Sequence, residues 1–173
     1  MPIKQVSAAV IFIDLESEDI FGVHSTQVWP RKSHKDKGPW GLPKGLIDKD
    51  EDAEMAACRE VKEECGFEPD PSKIKYAGKF DYLPVKDLEV FVCPVSSAEM
   101  KSMIEIAKCN SYFTNPSGVE QPEVDDYKVC KIDDFNLNYQ RVIKNALSGV
   151  TYWEYHNIFC EVQTKMNMLR AFF

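Results

Sequence analysis

Short apolar runs alternate with polar, turn-forming residues along most of the chain. A continuous apolar run near the start is typical of a buried strand, and later runs that alternate apolar with polar residues are typical of half-buried strands. The pattern predicts five strands, over residues 3–14, 20–30, 73–83, 87–95 and 124–132.

Other segments carry apolar residues three and four positions apart, as amphipathic helices do. One helix is predicted to begin near residues 50–52, where acidic side chains favour the positive end of the helix dipole, and Gly66 is expected to end it. Further helices are predicted over residues 97–108, 135–147 and, in an aromatic-rich tail, 153–170. That tail could either cover the core or form a dimer contact, and the sequence does not choose between these two roles.

Two connections and one helix start have their own sequence signals. Residues 38–45, GPWGLPKG, contain three Gly and two Pro, which predicts a tightly turned backbone with little regular structure. Residues 109–123 are predicted as a loop, and a loop of this length in a compact domain is often functional. Ser97 is expected to cap the helix that follows it.

Length and composition indicate one globular domain over residues 1–173, with 44% hydrophobic and 28% charged residues. The formal charge of −7 argues against broad binding to a nucleic-acid backbone. The six cysteines show no CxxC pair and no histidine at zinc spacing, so we expect reduced thiols in a cytoplasmic protein. No apolar run approaches the ~20 residues of a membrane helix, so no membrane partner is expected.

Four carboxylates in residues 45–67 change this picture. Glu60, Glu63 and Glu64 stand at i, i+3 and i+4, so a helix places them on one face about 5–6 Å apart at Cβ, and Glu51 precedes them. Like charges at this spacing repel each other. A hard divalent cation, which prefers oxygen ligands, would relieve that repulsion. The sequence therefore predicts a metal site on this helix.

The same stretch resembles the signature of the Nudix hydrolases. Gly45 is followed by five residues and Glu51, then by seven residues and the run Arg59-Glu60-Val61-Lys62-Glu63-Glu64-Cys65-Gly66-Phe67, which matches every constrained position. Residues 40–44, WGLPK, resemble the lead-in of the family, and the likeness covers about residues 5–147. The resemblance implies an α/β fold in which a mixed β-sheet is sandwiched between α-helices.

The resemblance also implies a reaction and its metal ligands. Nudix enzymes use Mg²⁺ or Mn²⁺ to hydrolyse a diphosphate linkage in a nucleoside diphosphate joined to another moiety X. A polyanionic diphosphate repels a nucleophile until cations neutralise its oxygens. Carried over residue by residue, the expected ligands are the Gly45 carbonyl and the carboxylates of Glu60, Glu63 and Glu64.

Other roles in the motif follow from the same resemblance. Arg59 is expected to pair with Glu51 or with a ligand carboxylate and so to orient it, while Glu51 and Gly66 have structural roles. The family places its general base variably, either on a motif glutamate such as Glu63 or in the loop before the last strand. In that loop we prefer Glu123 to Glu120, as base or as a further metal ligand, with a solvated loop residue as the open alternative.

Four further side chains are candidates for substrate binding. Arg31 belongs to the basic run of residues 31–37, which could attract an anionic substrate or simply be solvated. Lys44 could contact a phosphate or cap carbonyl groups. Tyr82 and Lys86 could bind the base or the outer phosphates, although packing and solvation explain them equally well.

The motif defines the chemistry better than the substrate. The central stretch resembles both diadenosine polyphosphate hydrolases and the catalytic domains of messenger-RNA decapping enzymes. We favour a small nucleotide, such as a dinucleoside polyphosphate, because residues 137–173 do not form a strongly basic face. Removal of the 5′ cap or 5′ diphosphate from RNA is the alternative. A non-catalytic nucleotide-sensing module is disfavoured, since every motif carboxylate is present.

Overall fold

The computed structural model describes residues 4–27 and 40–149. Along these ranges the elements are β1 (Gln5–Asp14), β2 (Asp19–Ser25), β3 (Lys44–Leu46), α1 (Ala53–Cys65), β4 (Lys75–Leu83), β5 (Lys86–Pro94), α2 (Ser97–Ile106), β6 (Tyr112–Thr114), β7 (Glu120–Pro122), β8 (Val124–Cys130) and α3 (Leu137–Gly149). None of the helices described is both long and apolar enough to cross a membrane.

β1 is the central strand, and it is buried on both faces. Its odd-numbered residues Ala9, Ile11 and Ile13 point into one apolar cluster, while its even-numbered residues point into the other. This two-sided burial follows from the strand period of two and explains why β1 reads as a continuous apolar run. The even-numbered residues of β1 in the second cluster are Ala8, Val10 and Phe12.

The main sheet is mixed and has helices on both faces. Its strand order is β4-β5-β1-β2-β8, with β3 added to β1. β1 and β5 run parallel, and the other neighbours are antiparallel. The helix α3 packs on one face through Val142, Ile143 and Ala146, and α1 and α2 pack on the other. The predicted fold class, a mixed sheet between helices, is confirmed.

A split between β1 and β2 positions the signature stretch. These two strands pair only at Ile13↔Ile20 and Asp14↔Asp19. At the other end of β1, Ser7, Ala8 and Ala9 pair instead with β3, and Gly41 bridges to Val23 of β2. Residues 40–46 therefore enter the gap between two diverging strands, directly beside α1.

α1 has the ends that its sequence predicts. The Asp52 carboxylate accepts a hydrogen bond from the Met55 amide at 2.8 Å, which caps the first turn. At the other end Gly66 has φ 78°, and a Cβ atom there would lie 2.7 Å from the Lys108 carbonyl oxygen. Glycine is required here by both its left-handed backbone and this close approach.

Some predictions are corrected by the structure. The cap of α2 is Ser96 rather than Ser97, because Ser96 has extended backbone and forms a capping box with Glu99. Residues 109–123 are not only loop, since β6 and β7 form a hairpin there. Lys86 begins β5, one residue before the predicted start of that strand at residue 87.

Residues 44–46 form a short strand that was not predicted from the Gly- and Pro-rich sequence. The strand depends on pairing with β1, which is distant in the chain. The end of the second predicted strand, the basic run 31–37 and the helix 153–170 lie outside the described residues.

Candidate active site

A polar cleft of about 370 Å³ lies between α1, β3 and the ends of β2 and β7. It is bounded by the signature stretch on one side and by the start of β8 on the other. Its lining residues are Ser25, Gln27, Lys44, Gly45, Leu46, Asp48, Arg59, Glu60, Glu63, Glu64, Ser111 and Glu123. The cleft thus brings together Lys44, Glu123 and the signature residues.

Two of the α1 carboxylates are buried beside β3. Glu60 is 7% exposed and Glu64 is 8% exposed, whereas the Glu63 side chain is 43% exposed. The Glu64 Oε2 atom accepts a hydrogen bond from the Lys44 amide at 3.0 Å. A Cβ atom at Gly45 would lie 1.9 Å from the Glu60 Oε1 atom, so the glycine leaves room for this carboxylate in its present position.

Burial makes both carboxylates hard to ionise. Loss of solvent raises the pKa of Glu60, although the Arg59 guanidinium lowers it in part. Burial raises the pKa of Glu64 to about 8, against the lowering effects of the Lys44 charge and amide. The negative charges of Glu60 and Glu123 raise the pKa of Glu64 further. Both carboxylates therefore keep their protons to a higher pH than an exposed glutamate does.

Arg59 holds the exposed side of this carboxylate cluster. Its Nε and Nη2 atoms donate to the two oxygens of Glu51 at 2.9 Å each. Its Nη1 atom donates to Glu60 at 2.7 Å and to Glu63 at 3.2 Å. Nη2 also donates to the Leu46 carbonyl at 2.9 Å, which ties α1 to β3. One guanidinium thus fixes the rotamers of three glutamates, as a fork of five donors can.

The donor set fits a hard divalent cation. Carboxylate and carbonyl oxygens are the ligands such ions prefer, and Glu60, Glu63 and Glu64 line one cleft with Gly45. Within residues 4–27 and 40–149, however, no three His, Cys, Asp or Glu side chains come close enough to hold one metal ion. Arg59 binds Glu60 and Glu63, and Glu64 turns to the Lys44 amide. The assignment of Glu60, Glu63 and Glu64 as ligands stays a prediction.

Two other predicted substrate residues, Tyr82 and Lys86, are not among the residues that line the cleft. The Tyr82 ring packs against the Tyr139 ring with centroids 4.9 Å apart, on the α3 side of the sheet. Lys86 pairs with Gln5 at the start of β5. Arg31 lies outside the described residues. The structure groups neither Tyr82 nor Lys86 with the carboxylates, and their roles in binding stay predictions.

Sequence reasoning missed several polar residues of the cleft. Ser25 ends β2 and Gln27 follows it, Asp48 follows β3, and Ser111 precedes β6. Isolated serines and a glutamine carry no spacing that marks a site. The length of the predicted 109–123 loop was the one available signal, and it applies to Ser111 and Glu123.

The profile of the NUDIX domain matches residues 4–147, and the chain belongs to the Nudix family. An uncharacterized 17.7 kDa protein in the e-segB intergenic region of Enterobacteria phage T4 is 35% identical over 126 residues, which cover 72% of this chain and 80% of that protein. The chain is an enzyme of the Nudix pyrophosphohydrolase class. Such enzymes generally use divalent metal ions to hydrolyse nucleoside diphosphate derivatives.

Solved structures share the fold. The MutT NUDIX hydrolase of Burkholderia pseudomallei is 19% identical, with 87% of this chain and 100% of that chain covered and a TM-score of 0.56. The NUDIX domain of Shewanella oneidensis NrtR, solved in complex with ADP ribose, is 16% identical, with 87% and 91% covered and a TM-score of 0.53. At these identities the likeness concerns the fold alone.

Proposed function

We propose that this protein uses Mg²⁺ or Mn²⁺ to hydrolyse the diphosphate linkage of a small nucleoside diphosphate derivative, such as a dinucleoside polyphosphate. The observation that carries the proposal is a pair of buried carboxylates in one polar cleft, with Glu60 beside Gly45 and Glu64 beside the Lys44 amide. Burying two acidic groups side by side costs stability. A chain selected for stability alone would not keep both.

In this proposal the ion is held by Glu60, Glu63, Glu64 and the Gly45 carbonyl. When bound, a divalent cation neutralises diphosphate oxygens and activates a water molecule. Arg59 keeps the ligand carboxylates in position through its contacts with Glu51, Glu60 and Glu63.

Glu123 and Lys44 supply the remaining groups on the two sides of the cleft. Glu123 acts as general base or as a further ligand, because its carboxylate lines the same cleft as Glu60 and Glu64. Glu63, the more exposed of the motif glutamates, is the other candidate for the base. The Lys44 ammonium offers a positive charge to a substrate phosphate.

The electrostatics of the cleft favour a small substrate over RNA. Arg59 and Lys44 are the cationic side chains among the lining residues, and Arg59 is already paired with carboxylates. A long RNA backbone requires several phosphate contacts from basic side chains. The net charge of −7 adds a general repulsion. Capped or 5′-diphosphorylated RNA is therefore the second candidate in any substrate screen.

A panel of substrates tests the proposal. The protein is stripped with EDTA, supplied with Mg²⁺ or Mn²⁺, and incubated with dinucleoside polyphosphates, nucleotide sugars, ADP-ribose, NADH, nucleoside triphosphates and 5′-capped RNA. We expect metal-dependent cleavage with a nucleoside monophosphate among the products of a small nucleotide. Binding without turnover of any member would instead indicate a nucleotide-sensing module and would refute the enzymatic proposal.

A further inference from the structure

An extra residue interrupts the pairing of β2 and β8 beside the cleft. The two strands are in register from Ile20↔Cys130 to His24↔Asp126, but the next pair is Ser25↔Val124. β8 therefore has one residue more than β2 at this point, and Asp125 is the bulged residue. A bulge redirects the side chains that follow it, and bulges are over-represented next to active sites.

The bulge has a side-chain contact across the two strands. The Nδ1 atom of His24 lies 2.5 Å from the Oδ1 atom of Asp125, and the imidazole is 5% exposed. The His24 ring also meets the Trp40 ring edge-on, with centroids 5.8 Å apart. These contacts fix the place at which the strand register changes.

Thr26 then holds the residue on the other side of the bulge. Its amide donates a hydrogen bond to the Glu123 carbonyl at 3.0 Å. Its hydroxyl lies within hydrogen-bond reach of the carbonyls of Glu123, at 3.0 Å, and of Pro122. The Glu123 amide in turn donates to the Ser111 carbonyl at 2.9 Å. The backbone of Glu123 is thus held from both sides.

This backbone clasp holds Glu123 at the lining of the cleft. Val124, the next residue, is buried in the core cluster on the α1 side of the sheet. Glu123 lines the same cleft as Glu60 and Glu64, so the burial of Val124 and the hold on the Glu123 backbone together keep it beside those carboxylates. The hydroxyl of Thr26, the residue directly after β2, is the side-chain group in this hold.

We propose that Thr26 is a positioning residue that aims Glu123 at the carboxylates of α1 through the clasp at the Asp125 bulge. The inference rests on the proposed function, because it matters for turnover only if Glu123 takes part in the reaction. Thr26 does not itself touch the substrate.

A double-mutant cycle tests the inference. Thr26→Val keeps the shape of the side chain and the amide but removes the hydroxyl, and Thr26→Ser keeps the hydroxyl. Turnover is measured with Mg²⁺ on diadenosine tetraphosphate, or on the panel member that the wild type hydrolyses. We expect Thr26→Val to lower kcat about fivefold, as for the loss of one net hydrogen bond, with KM changed less than about twofold. Thr26→Ser should retain most of the activity.

The decisive comparison is made in a Glu123→Gln background. Because Thr26 acts through the Glu123 carboxylate, Thr26→Val should cause no further loss once that carboxylate is gone. An equal fivefold loss in both backgrounds would show a merely structural role and overturn the inference. Full activity of Glu123→Gln would remove Glu123 from the reaction and overturn it as well. A wild type that hydrolyses no panel member would refute the proposed function, and the inference with it.

Discussion

Two glutamates on two helices of this protein lie in opposite environments. Glu99, in the first turn of α2, accepts hydrogen bonds from the Ser96 amide and hydroxyl and pairs with Lys73 at 2.5 Å. These contacts lower the pKa of Glu99 to about 2, with the Lys73 contact as the largest cause. Glu64, in the last turn of α1, is buried, and burial raises its pKa to about 8.

The difference separates a carboxylate that stabilises the fold, Glu99, from one that destabilises it, Glu64. Glu99 has a negative charge at the positive end of a helix dipole, with a cation and hydrogen-bond donors around it. Glu64 has its charge near the negative end of α1, where the dipole is unfavourable, and Glu60 and Glu123 add repulsion. A buried carboxylate that lowers stability and lines a cleft is a candidate for a functional role, which is the role proposed for Glu64.

The largest expected effect is that of Glu64→Gln. The amide keeps the shape of the side chain and can still accept the Lys44 hydrogen bond, but it removes the charge offered to a cation. Since a bound metal ion contributes several kcal/mol of transition-state stabilisation, we expect turnover to fall roughly a thousandfold. Steady-state kinetics with Mg²⁺ and Mn²⁺ would measure the loss.

Stability should move the other way in the same variant. A carboxyl group whose pKa is raised in the folded protein lowers the free energy of unfolding as pH rises from about 4.5 toward 8. The reason is that the group loses its proton at a lower pH in the unfolded state than in the folded state. In EDTA at pH 7, Glu64→Gln should therefore melt at or above the wild-type temperature. Glu68→Gln, which alters only the exposed pair with Lys62, is the matched control and should change neither quantity appreciably. Near wild-type turnover in a folded Glu64→Gln protein would contradict the ligand assignment.

Arg59→Lys tests the comparison by removing the guanidinium that pairs with the glutamates of the cleft. A lysine keeps one charge but cannot bind Glu51 with two donors and still reach Glu60 and Glu63. We expect turnover to fall about 10- to 100-fold, the usual effect of a group that orients metal ligands. The free energy of unfolding should fall by roughly 1–3 kcal/mol, because hydrogen-bonding partners are left unsatisfied.

Denaturant titration and kinetics on the same Arg59→Lys preparation would measure both effects. Lys62→Arg, an exchange of the opposite kind on the exposed side of the same helix, is the control. If Arg59→Lys lost stability but kept full turnover, the guanidinium would support only the fold, and its proposed role in orienting the ligands would be wrong.

The sequence predicted the parts of this site that depend on local spacing. A helix places Glu60, Glu63 and Glu64 on one face, and Asp52 and Gly66 end that helix through local hydrogen bonds and backbone conformation. Local spacing cannot predict long-range pairing. β3 exists because residues 44–46 pair with β1, and Thr26 reaches Glu123 across 97 positions of the chain. The two-sided hold on Glu123 therefore became visible only in three dimensions.

The smallest expected effect belongs to Glu99→Gln, which tests the stabilising side of the comparison. Glutamine keeps the acceptor of the capping box but loses the charge. At pH 7 we expect the free energy of unfolding to fall by only about 0.5 kcal/mol, since the side chain is 47% exposed and solvent weakens its pairing with Lys73. Turnover should not change, because Glu99 lies outside the lining of the cleft.

The pH dependence of the free energy of unfolding shows whether this small effect comes from the charge of Glu99. A carboxylate with a lowered pKa stabilises the fold above about pH 4.5, and that contribution is lost as pH falls toward about 2. The difference between wild type and Glu99→Gln should therefore shrink over this window in urea titrations. A constant difference at every pH would mean that the charge of Glu99 contributes nothing. The contrast with Glu64 would then rest on burial alone.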